Sequence, residues 1–188
     1  MPYSRLSDYP ADVLARAAKI RLACFDVDGT LTDGRLYLDS EGRESKAFHV
    51  LDGQGLVLLR KSGIAIAMIT ARNSTVAERR GAELGAEVHT QVADKLARVE
   101  EIRARMGIAL DEVAFMGDDL PDLPAMRAVG FAVAPANAHA WTRERAHWRT
   151  IAFGGEGAAR ELCDLLLAAQ GRVEGLLGDS RPAAGTHG

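Results

Sequence analysis

The sequence predicts an α/β protein with a mainly parallel sheet and a β-hairpin that protrudes after the first strand. Two observations predict the parallel sheet: short, nearly continuous apolar runs, and helix-like segments that alternate with them. Continuous apolar runs of strand length are typical of strands that are buried on both faces. Strands that alternate with helices form βαβ units, and the strands of such units lie parallel in one sheet.

The predicted strands and helices follow each other regularly along the chain. The strands are expected at residues 22–27 (LACFDV), 64–70 (IAIAMIT), 113–117 (VAFMG) and 130–134 (GFAVA). The helices are expected at residues 54–62, 74–84, 94–106 and 157–170, and the glycines expected to end them are Gly63, Gly85, Gly107 and Gly171. At the helix starts, Thr75 and Glu78 have the spacing of a capping box, and Asp94 stands at the expected first position.

Two segments interrupt this alternation. Residues 35–50 hold two short runs around Ser40-Glu41-Gly42, which predicts a β-hairpin. Residues 171–188 are rich in glycine and carry few apolar side chains. We therefore expect one domain over residues 1–170 and a flexible C-terminal tail over residues 171–188.

Length and composition exclude several classes of protein. A chain of 188 residues is one domain's worth, and 47% apolar with 26% charged residues is ordinary for a globular protein. The net charge of −3 argues against a nucleic-acid-binding protein. No run approaches the ~20 apolar residues of a membrane helix, and the N-terminus lacks the apolar stretch of a secretory signal. Cys24 and Cys163 lie in apolar runs, which predicts reduced core residues of a cytoplasmic protein.

Polar residues follow the predicted strands at the places where a functional site is expected. Asp26 and Asp28 point together, because residues i and i+2 of an extended segment share a face, and Gly29 permits a sharp turn after them. Sites in open α/β sheets lie outside the carboxyl ends of the strands. That rule gathers Asp26, Asp28, Thr70, Asp118 and Asp119, with Lys95 nearby.

The chemistry of this set indicates phosphoryl transfer. Several carboxylates at one place repel each other unless a cation lies between them. Mg²⁺ takes oxygen ligands and leaves room for a substrate phosphate. A lysine and a hydroxyl beside the metal would face an anion. A single Asp-x-Asp pair is weak support, because acidic residues commonly end strands; the prediction depends on the joint pattern.

Four motifs in order resemble the signature of the haloacid dehalogenase superfamily: Asp26-x-Asp28-Gly29-Thr30, Thr70, Lys95 and Gly117-Asp118-Asp119. The resemblance implies a Rossmannoid three-layer fold, a Mg²⁺ cofactor and an aspartyl-phosphate intermediate. It implies that Asp26 is the nucleophile, and that Asp28 protonates the leaving alkoxide and later activates water. An aspartate at position 28 favours a phosphatase or phosphomutase over the dehalogenases and transport ATPases of the superfamily.

The same resemblance implies the remaining roles. Mg²⁺ would be held by Asp26, Asp118 and the backbone carbonyl of Asp28. Thr70 and Lys95 would bind the oxygens of the transferring phosphoryl group. Asp119 would act behind them, orienting Lys95 or a metal-bound water.

A longer pattern narrows the family. It consists of Asp26 to Gly34, the hairpin with Gly42, Lys46 and Phe48, Asp52-Gly53, Ile69 to Arg72, Gly117 to Asp122, and Gly154-Gly155-x-Gly157-Ala-x-Arg160. This pattern resembles the 3-deoxy-D-manno-octulosonate 8-phosphate phosphatases, which act in lipopolysaccharide biosynthesis. Thr30 and Ala71 depart from that family's usual valine and glycine, but neither change removes a catalytic group.

The spacing leaves no room for a separate cap domain. The interval from Asp28 to Thr70 holds the hairpin and one helix, and the interval from Thr70 to Lys95 holds one helix and a strand. The resemblance implies homotetramers in which hairpins associate and neighbouring subunits complete each site. An apolar hairpin face of Leu36, Leu38, Phe48 and Val50 is compatible with this, although the face could instead pack on its own subunit. We also expect the tail to reach a neighbouring active site.

Two arginines are candidates for recognising a sugar acid. Arg72 follows the second strand, Arg80 lies on the next helix, and guanidinium groups bind carboxylates bidentately. Both could instead be ordinary surface residues. Three alternative functions stay open: a phosphatase for nine-carbon, sialic-type sugar acid 9-phosphates, a receiver-like phospho-acceptor signalling domain, and an inactive interaction module. The order of the motifs argues against the receiver, and their completeness argues against the inactive module.

Overall fold

A six-stranded parallel sheet organises the chain, in the strand order β5-β4-β1-β6-β7-β8. The computed structural model describes residues 9–178. The strands are β1 (Leu22–Phe25), β2 (Tyr37–Leu38), β3 (Glu44–Ser45), β4 (Ala65–Ile69), β5 (Glu87–His89), β6 (Val113–Met116), β7 (Phe131–Ala134) and β8 (Trp148–Arg149). Strands β2 and β3 pair antiparallel outside the sheet as the hairpin. The predicted parallel sheet and hairpin are confirmed.

Helices cover the two faces of the sheet. They are α1 (Ala11–Ala17), α2 (Val50–Lys61), α3 (Thr75–Leu84), α4 (Lys95–Met106), α5 (Leu123–Ala128), α6 (Ala140–Arg143), α7 (Ala158–Ala169) and α8 (Val173–Leu177). Alternate residues of β1 enter different cores: Ala23 and Phe25 join the core under α2 and α7, and Leu22 and Cys24 join the core under α4 and α5. This alternation produces the predicted three layers.

Asp52 links α2 to α7, two helices that cover the same face of the sheet. From the first turn of α2, its carboxylate accepts a hydrogen bond from the backbone N–H of Arg160 at 2.7 Å and from that of Gly157 at 3.2 Å. These N–H groups belong to the start of α7, where a helix lacks internal acceptors. Burial raises the pKa of Asp52 above its usual value, and the two hydrogen bonds oppose that shift.

One predicted helix start and one predicted capping box are wrong. Helix α2 begins at Val50, not at residue 54, because the hairpin strands are only two residues each and β3 already ends at Ser45, which leaves residues 50–53 to the helix. Helix α3 is capped by Ser74, whose Oγ accepts from the N–H of Ala77 at 3.2 Å, so the capping box predicted from Thr75 is not formed. The predicted cap at Asp94 is confirmed, with the N–H of Ala97 at 3.0 Å.

Several short elements escaped the sequence patterns. Strand β8 has two residues, and helices α1, α5 and α6 have seven, six and four. Segments of this length hold too few residues to display a hydrophobic period. The predicted tail contains the short helix α8, and residues 179–188 lie outside the described part of the chain.

The hairpin leaves most of its apolar side chains in solvent. Leu38 is 60% exposed, Leu36 is 54% exposed, and Val50 is 77% exposed at the adjoining helix start. Of the predicted apolar face, Phe48 packs against the subunit's own core. The alternative that this face packs on its own subunit therefore holds for Phe48 and fails for the other three residues.

Candidate active site

The carboxyl ends of the three central strands meet at one place. Asp26 follows β1, Thr70 follows β4, and Gly117-Asp118 follows β6. Because β1 lies between β4 and β6, the side chains after these strands converge on the residue that follows β1. The structure thus brings together the residues that the strand-end rule gathered from the sequence.

Lys95 joins two buried carboxylates. Its Nζ donates to Asp26 Oδ1 and to Asp122 Oδ1, each at 2.6 Å. Lys95 begins α4, and Asp94 directly before it caps that helix, which fixes where the lysine starts. Burial opposes the charged form of Lys95, but its two carboxylate partners outweigh burial and raise its pKa. The ammonium group is therefore charged throughout the neutral range.

Two carboxyl groups of this site, Asp26 and Asp118, have raised pKa values. Burial and the nearby charge of Asp122 raise the pKa of Asp26 well above its usual value, although Lys95 opposes the shift. Burial and Asp122 also raise the pKa of Asp118, to about 6. Asp118 is held by Thr30, whose Oγ1 donates to its Oδ1 at 3.2 Å. Crowded acids of this kind bind a proton or a cation readily.

The donor set fits a divalent cation with oxygen ligands. Carboxylate oxygens of Asp26, Asp118 and Asp122 all lie within 4.8 Å of one another. Gly29 has a φ of +90°, and a Cβ at this position would overlap the carboxylate of Asp118. Among residues 9–178, no backbone N–H donates to the carbonyl of Asp28. The glycine turn and the free carbonyl leave space and ligands for Mg²⁺ beside Asp26.

The third carboxylate of the cluster is already fully bonded. Asp122 Oδ2 accepts from the backbone N–H of Asp118 at 2.9 Å and of Asp119 at 3.2 Å, while its Oδ1 accepts from Lys95. It therefore suits the role of holding the turn and the lysine better than that of a metal ligand. The sequence contained a signal for it, an aspartate four residues after Asp118 at the end of a proline-containing turn.

Asp119 does not hold Lys95. Its Oδ1 accepts from the N–H of Leu120 at 2.8 Å, so the side chain caps the following turn. The contact with Lys95, one of the two roles expected of Asp119, belongs to Asp122, because Asp119 caps the turn that carries Asp122. The other role, orienting a metal-bound water, stays a prediction.

Asp28 has surroundings different from those of Asp26. Thr70 Oγ1 donates to Asp28 Oδ2 at 3.3 Å, and Lys46 Nζ donates to Asp28 Oδ1. Lys46 comes from the hairpin, and its side chain is only 2% exposed. Sequence reasoning noted Lys46 in the longer family pattern without assigning it to the site, because its reach depends on how the hairpin folds back.

The two candidate arginines lie in different places. Arg72 borders the site: its backbone N–H donates to Thr70 Oγ1 at 3.1 Å, and its Nη2 donates to Glu44 Oε1 at 2.7 Å. Arg80 pairs with Glu83 at 3.0 Å and lies over Gly53 of α2, where a Cβ would overlap its guanidinium group. Its contacts do not join it to Asp28 or Thr70 of the same chain.

A glycine loop closes the back of the site. Gly155 donates its N–H to the carbonyl of Thr30 at 3.1 Å. A Cβ at Gly154 would overlap the carbonyl of Gly29, and a Cβ at Gly155 would overlap the backbone of Thr32. The loop and the turn after β1 therefore pack backbone against backbone.

Comparison with known proteins identifies the family. A family described as haloacid dehalogenase-like hydrolase matches residues 54–130. A 3-deoxy-D-manno-octulosonate 8-phosphate phosphatase from Yersinia pestis is 44% identical over 168 residues, which cover 89% of this chain and 90% of the relative. The chain belongs to this phosphatase family. It is a phosphoric monoester hydrolase of the haloacid dehalogenase-like group.

Solved structures of relatives share the fold of this phosphatase. A hypothetical protein of Xanthomonas campestris is 60% identical, with a TM-score of 0.92, and the match covers 97% of this chain and all 100% of that one. A phosphatase of the same family from Moraxella catarrhalis is 40% identical, with a TM-score of 0.88, covering 92% and 100%. That structure is described as a complex with a magnesium ion, a phosphate ion and a KDO molecule.

Proposed function

We propose that this phosphatase hydrolyses 3-deoxy-D-manno-octulosonate 8-phosphate to the free sugar acid and phosphate, with Mg²⁺ as cofactor. This reaction is a step of lipopolysaccharide biosynthesis. The observation that carries the mechanism is the contrast between two aspartates on one strand end. Asp26 is buried against Lys95, whereas Asp28 is bonded to Thr70 and to a lysine of the hairpin. Two carboxyl groups in different environments can take different chemical roles.

Asp26 is the nucleophile of the first step. Lys95 holds one of its oxygens, Oδ1, and the other oxygen attacks phosphorus to form the aspartyl-phosphate. As that bond forms, the bond from phosphorus to the sugar oxygen breaks. The proton of the Asp28 carboxyl group passes to the sugar oxygen, which leaves as an alcohol.

Asp28 is the general base of the second step. Its carboxylate takes a proton from water, and the water oxygen forms a bond to phosphorus while the bond to Asp26 breaks. Phosphate leaves, and both aspartates return to their starting states. Lys95 and Thr70 donate hydrogen bonds to the phosphoryl oxygens, where negative charge is held throughout the reaction; for this the single hydroxyl hydrogen of Thr70 turns from Asp28 Oδ2 to the phosphoryl group.

The metal site would consist of the carboxylates of Asp26 and Asp118 and the backbone carbonyl of Asp28. When bound, Mg²⁺ neutralises phosphoryl charge and orients the phosphate for in-line attack. Asp122 keeps Asp118 and Lys95 in place through both of its oxygens. Asp119 supports the same turn from its capping position.

Arg72 is our candidate for the substrate carboxylate. One of its Nη groups binds Glu44, which leaves other donors of the guanidinium free, and its side chain is 43% exposed. Arg72→Ala is expected to raise KM for the sugar acid phosphate and to affect a neutral aryl phosphate much less. Equal losses on both substrates would exclude a carboxylate role. Arg80 remains a second candidate, and its variant belongs in the same comparison.

The proposed function is tested by a steady-state screen over sugar phosphates with Mg²⁺, with Asp26→Asn as the inactive reference. We expect the eight-carbon sugar acid phosphate to give the highest kcat/KM. A higher value for a nine-carbon sugar acid 9-phosphate would transfer the assignment to that substrate. Substantial activity of Asp26→Asn would show that the nucleophile is wrong. A stable aspartyl-phosphate without turnover would indicate a phospho-acceptor domain.

We further propose a homotetramer in which exposed hairpins associate. Leu36, Leu38 and Val50 present apolar surface that a single subunit does not cover. Light scattering after size exclusion should give four subunits, and Leu38→Asp should reduce that number together with activity. A fully active monomer would refute the tetramer. Deletion of residues 171–188 should raise KM if the tail reaches a neighbouring site, and unchanged kinetics would refute that contact.

The location of the enzyme is proposed to be the cytoplasm. Cys24 and Cys163 are free and buried, as expected of a protein in a reducing compartment. Within residues 9–178, no helix combines the length and the hydrophobicity needed to cross a bilayer. Fractionation of cells that express the tagged full chain would test the proposal, and recovery in the membrane or periplasmic fraction would contradict it.

A further inference from the structure

Four side chains of alternating charge form a row along the proposed substrate site: Asp28, Lys46, Glu44 and Arg72. Lys46 Nζ donates to Asp28 Oδ1 and to Glu44 Oε1, the second at 3.3 Å. The same Glu44 oxygen accepts from Arg72 Nη2 at 2.7 Å. The row therefore runs from the proposed acid and base, Asp28, to the proposed carboxylate-binding Arg72.

The two middle members of the row come from the hairpin. Glu44 lies on β3 and Lys46 lies two residues later, so both side chains point to the same face of this extended segment. That face is turned toward the strand ends of the sheet. The side chain of Glu44 is 17% exposed and that of Lys46 only 2% exposed, unlike the apolar residues of the same hairpin.

Such burial requires each charge to keep its partners. A buried ammonium group loses its hydration and is stable only when carboxylates replace the water. Without Lys46, the carboxylates of Asp28 and Glu44 would face each other with no cation between them. Without Glu44, Lys46 would keep one partner and Arg72 would lose its side-chain anchor.

We propose that Lys46 and Glu44 are positioning residues: Lys46 fixes the carboxyl group of Asp28 toward the leaving oxygen, and Glu44 fixes the guanidinium group of Arg72 for the substrate carboxylate. This inference rests on the proposed function. Thr70 and Lys46 contact opposite oxygens of Asp28, and Lys46 keeps its contact with Oδ1 when Thr70 donates its single hydrogen to the phosphoryl group. Arg72 is held by one Nη and directs its remaining donors outward.

The role of Lys46 predicts a dependence on the leaving group. An alkoxide needs the proton of Asp28 as it leaves, whereas a nitrophenolate leaves with little help. Lys46→Met should therefore reduce kcat/KM at least about tenfold for a sugar phosphate and much less for p-nitrophenyl phosphate, because kcat/KM covers only steps up to the loss of the leaving group. Lys46→Arg, which keeps the charge, should restore most of the ratio between the two substrates.

The role of Glu44 predicts a dependence on the substrate carboxylate. Glu44→Ala should raise KM for the sugar acid phosphate about three- to tenfold and leave kcat nearly unchanged, because only binding depends on Arg72. KM for a phosphorylated sugar without a carboxylate should not change. Glu44→Gln keeps an acceptor oxygen for Arg72 and should lie between the wild type and Glu44→Ala. A lower KM in Glu44→Ala would mean that Glu44 competes with the substrate, and would overturn the proposal.

The experiment compares these variants with Asp39→Asn and Arg72→Ala in one set of assays. Asp39 is a hairpin residue that pairs with Arg43 outside the row, so Asp39→Asn should leave both substrate ratios unchanged. The ratio of kcat/KM for two substrates, measured on one enzyme preparation, does not depend on the fraction of the enzyme that is folded. Equal losses on both substrates in Lys46→Met would refute its positioning role. If Arg72→Ala changes carboxylate selectivity and Glu44→Ala does not, only the inference fails; if Arg72→Ala has no selective effect, the proposed role of Arg72 fails.

Discussion

The strand ends and the hairpin differ in how their residues are held in place. At the strand ends, Asp26, Lys95 and Asp122 are buried, mutually bonded and backed by the cores on both faces of the sheet. The hairpin has strands of two residues, exposed leucines and no core of its own, yet it inserts Lys46 beside Asp28. The contrast teaches that the residues proposed for phosphoryl transfer are held by the subunit's own cores, whereas Asp28, the proposed acid and base, is contacted by an element without a core of its own.

The largest effect is expected when the buried cation at the strand ends, Lys95, is removed. Lys95→Met leaves Asp26 and Asp122 without their shared partner, which should destabilise the fold by ~3–5 kcal/mol and abolish activity. Urea unfolding and steady-state assays would measure both effects. Lys19→Met is the matched control, because Lys19 pairs with Asp111 at 3.7 Å on the surface, where such pairs contribute ~0–1 kcal/mol. Similar stability losses for the two variants would contradict the buried network.

Gly29 at the strand ends and Gly42 in the hairpin have similar backbone angles, so alanine at each position compares the two regions directly. Gly29→Ala should reduce activity at least about a hundredfold, because its Cβ would displace Asp118 from the proposed metal site. Gly42 in the hairpin turn has a φ of +77° and no atom within 4 Å of a built Cβ, so Gly42→Ala should cost only ~1 kcal/mol of strain. Loss of activity in Gly42→Ala comparable with that in Gly29→Ala would mean that backbone strain, not displacement of Asp118, is responsible.

The link between α2 and α7 should give a smaller effect on stability alone. Asp52→Ala removes the acceptor for two N–H groups at the start of α7 and should cost ~1–2 kcal/mol. Asp52→Asn keeps an acceptor oxygen and avoids the burial of a charge, so it should lose less than Asp52→Ala. Thermal unfolding of both variants would measure the order, and the reverse order would show that the hydrogen bonds are not the stabilising element.

The smallest expected effect is a pH dependence at the sheet edge. His147 Nδ1 accepts from the N–H of Ala132 at 2.9 Å, and burial, with a contribution from Arg16, lowers the pKa of His147. A lowered pKa in the folded state means that the unfolded chain binds this proton more readily. The stability from neutral His147 is thus present above the unfolded pKa and is lost as pH falls through the folded pKa. His147→Gln should flatten the stability profile over that interval, and an unchanged profile would exclude the contribution.

Much of the sheet and of the site could be predicted, because short stretches of sequence determine where the strands lie and which residues follow them. Strands buried on both faces require continuous apolar runs, and the residues that follow such runs must meet at one edge. Asp26, Asp28, Thr70, Asp118 and Lys95 were found in this way. Asp122 and Lys46 were not, because their places depend on the geometry of a turn and on the return path of the hairpin. The start of α2 was misplaced because Asp52 and Gly53 resemble turn residues, whereas here they lie in a helix held by contacts distant in sequence.

The glycine loop behind the site limits how this enzyme can be altered. Gly154 and Gly155 lie directly on the backbone that follows Asp28, so no side chain can be introduced there without moving the main chain. Redesign of the substrate range therefore has few usable positions on that side. The hairpin offers the opposite: its side chains reach the site from outside the sheet, and most of its apolar side chains are exposed. A library for new sugar phosphates would place its diversity on the hairpin and leave the loop untouched.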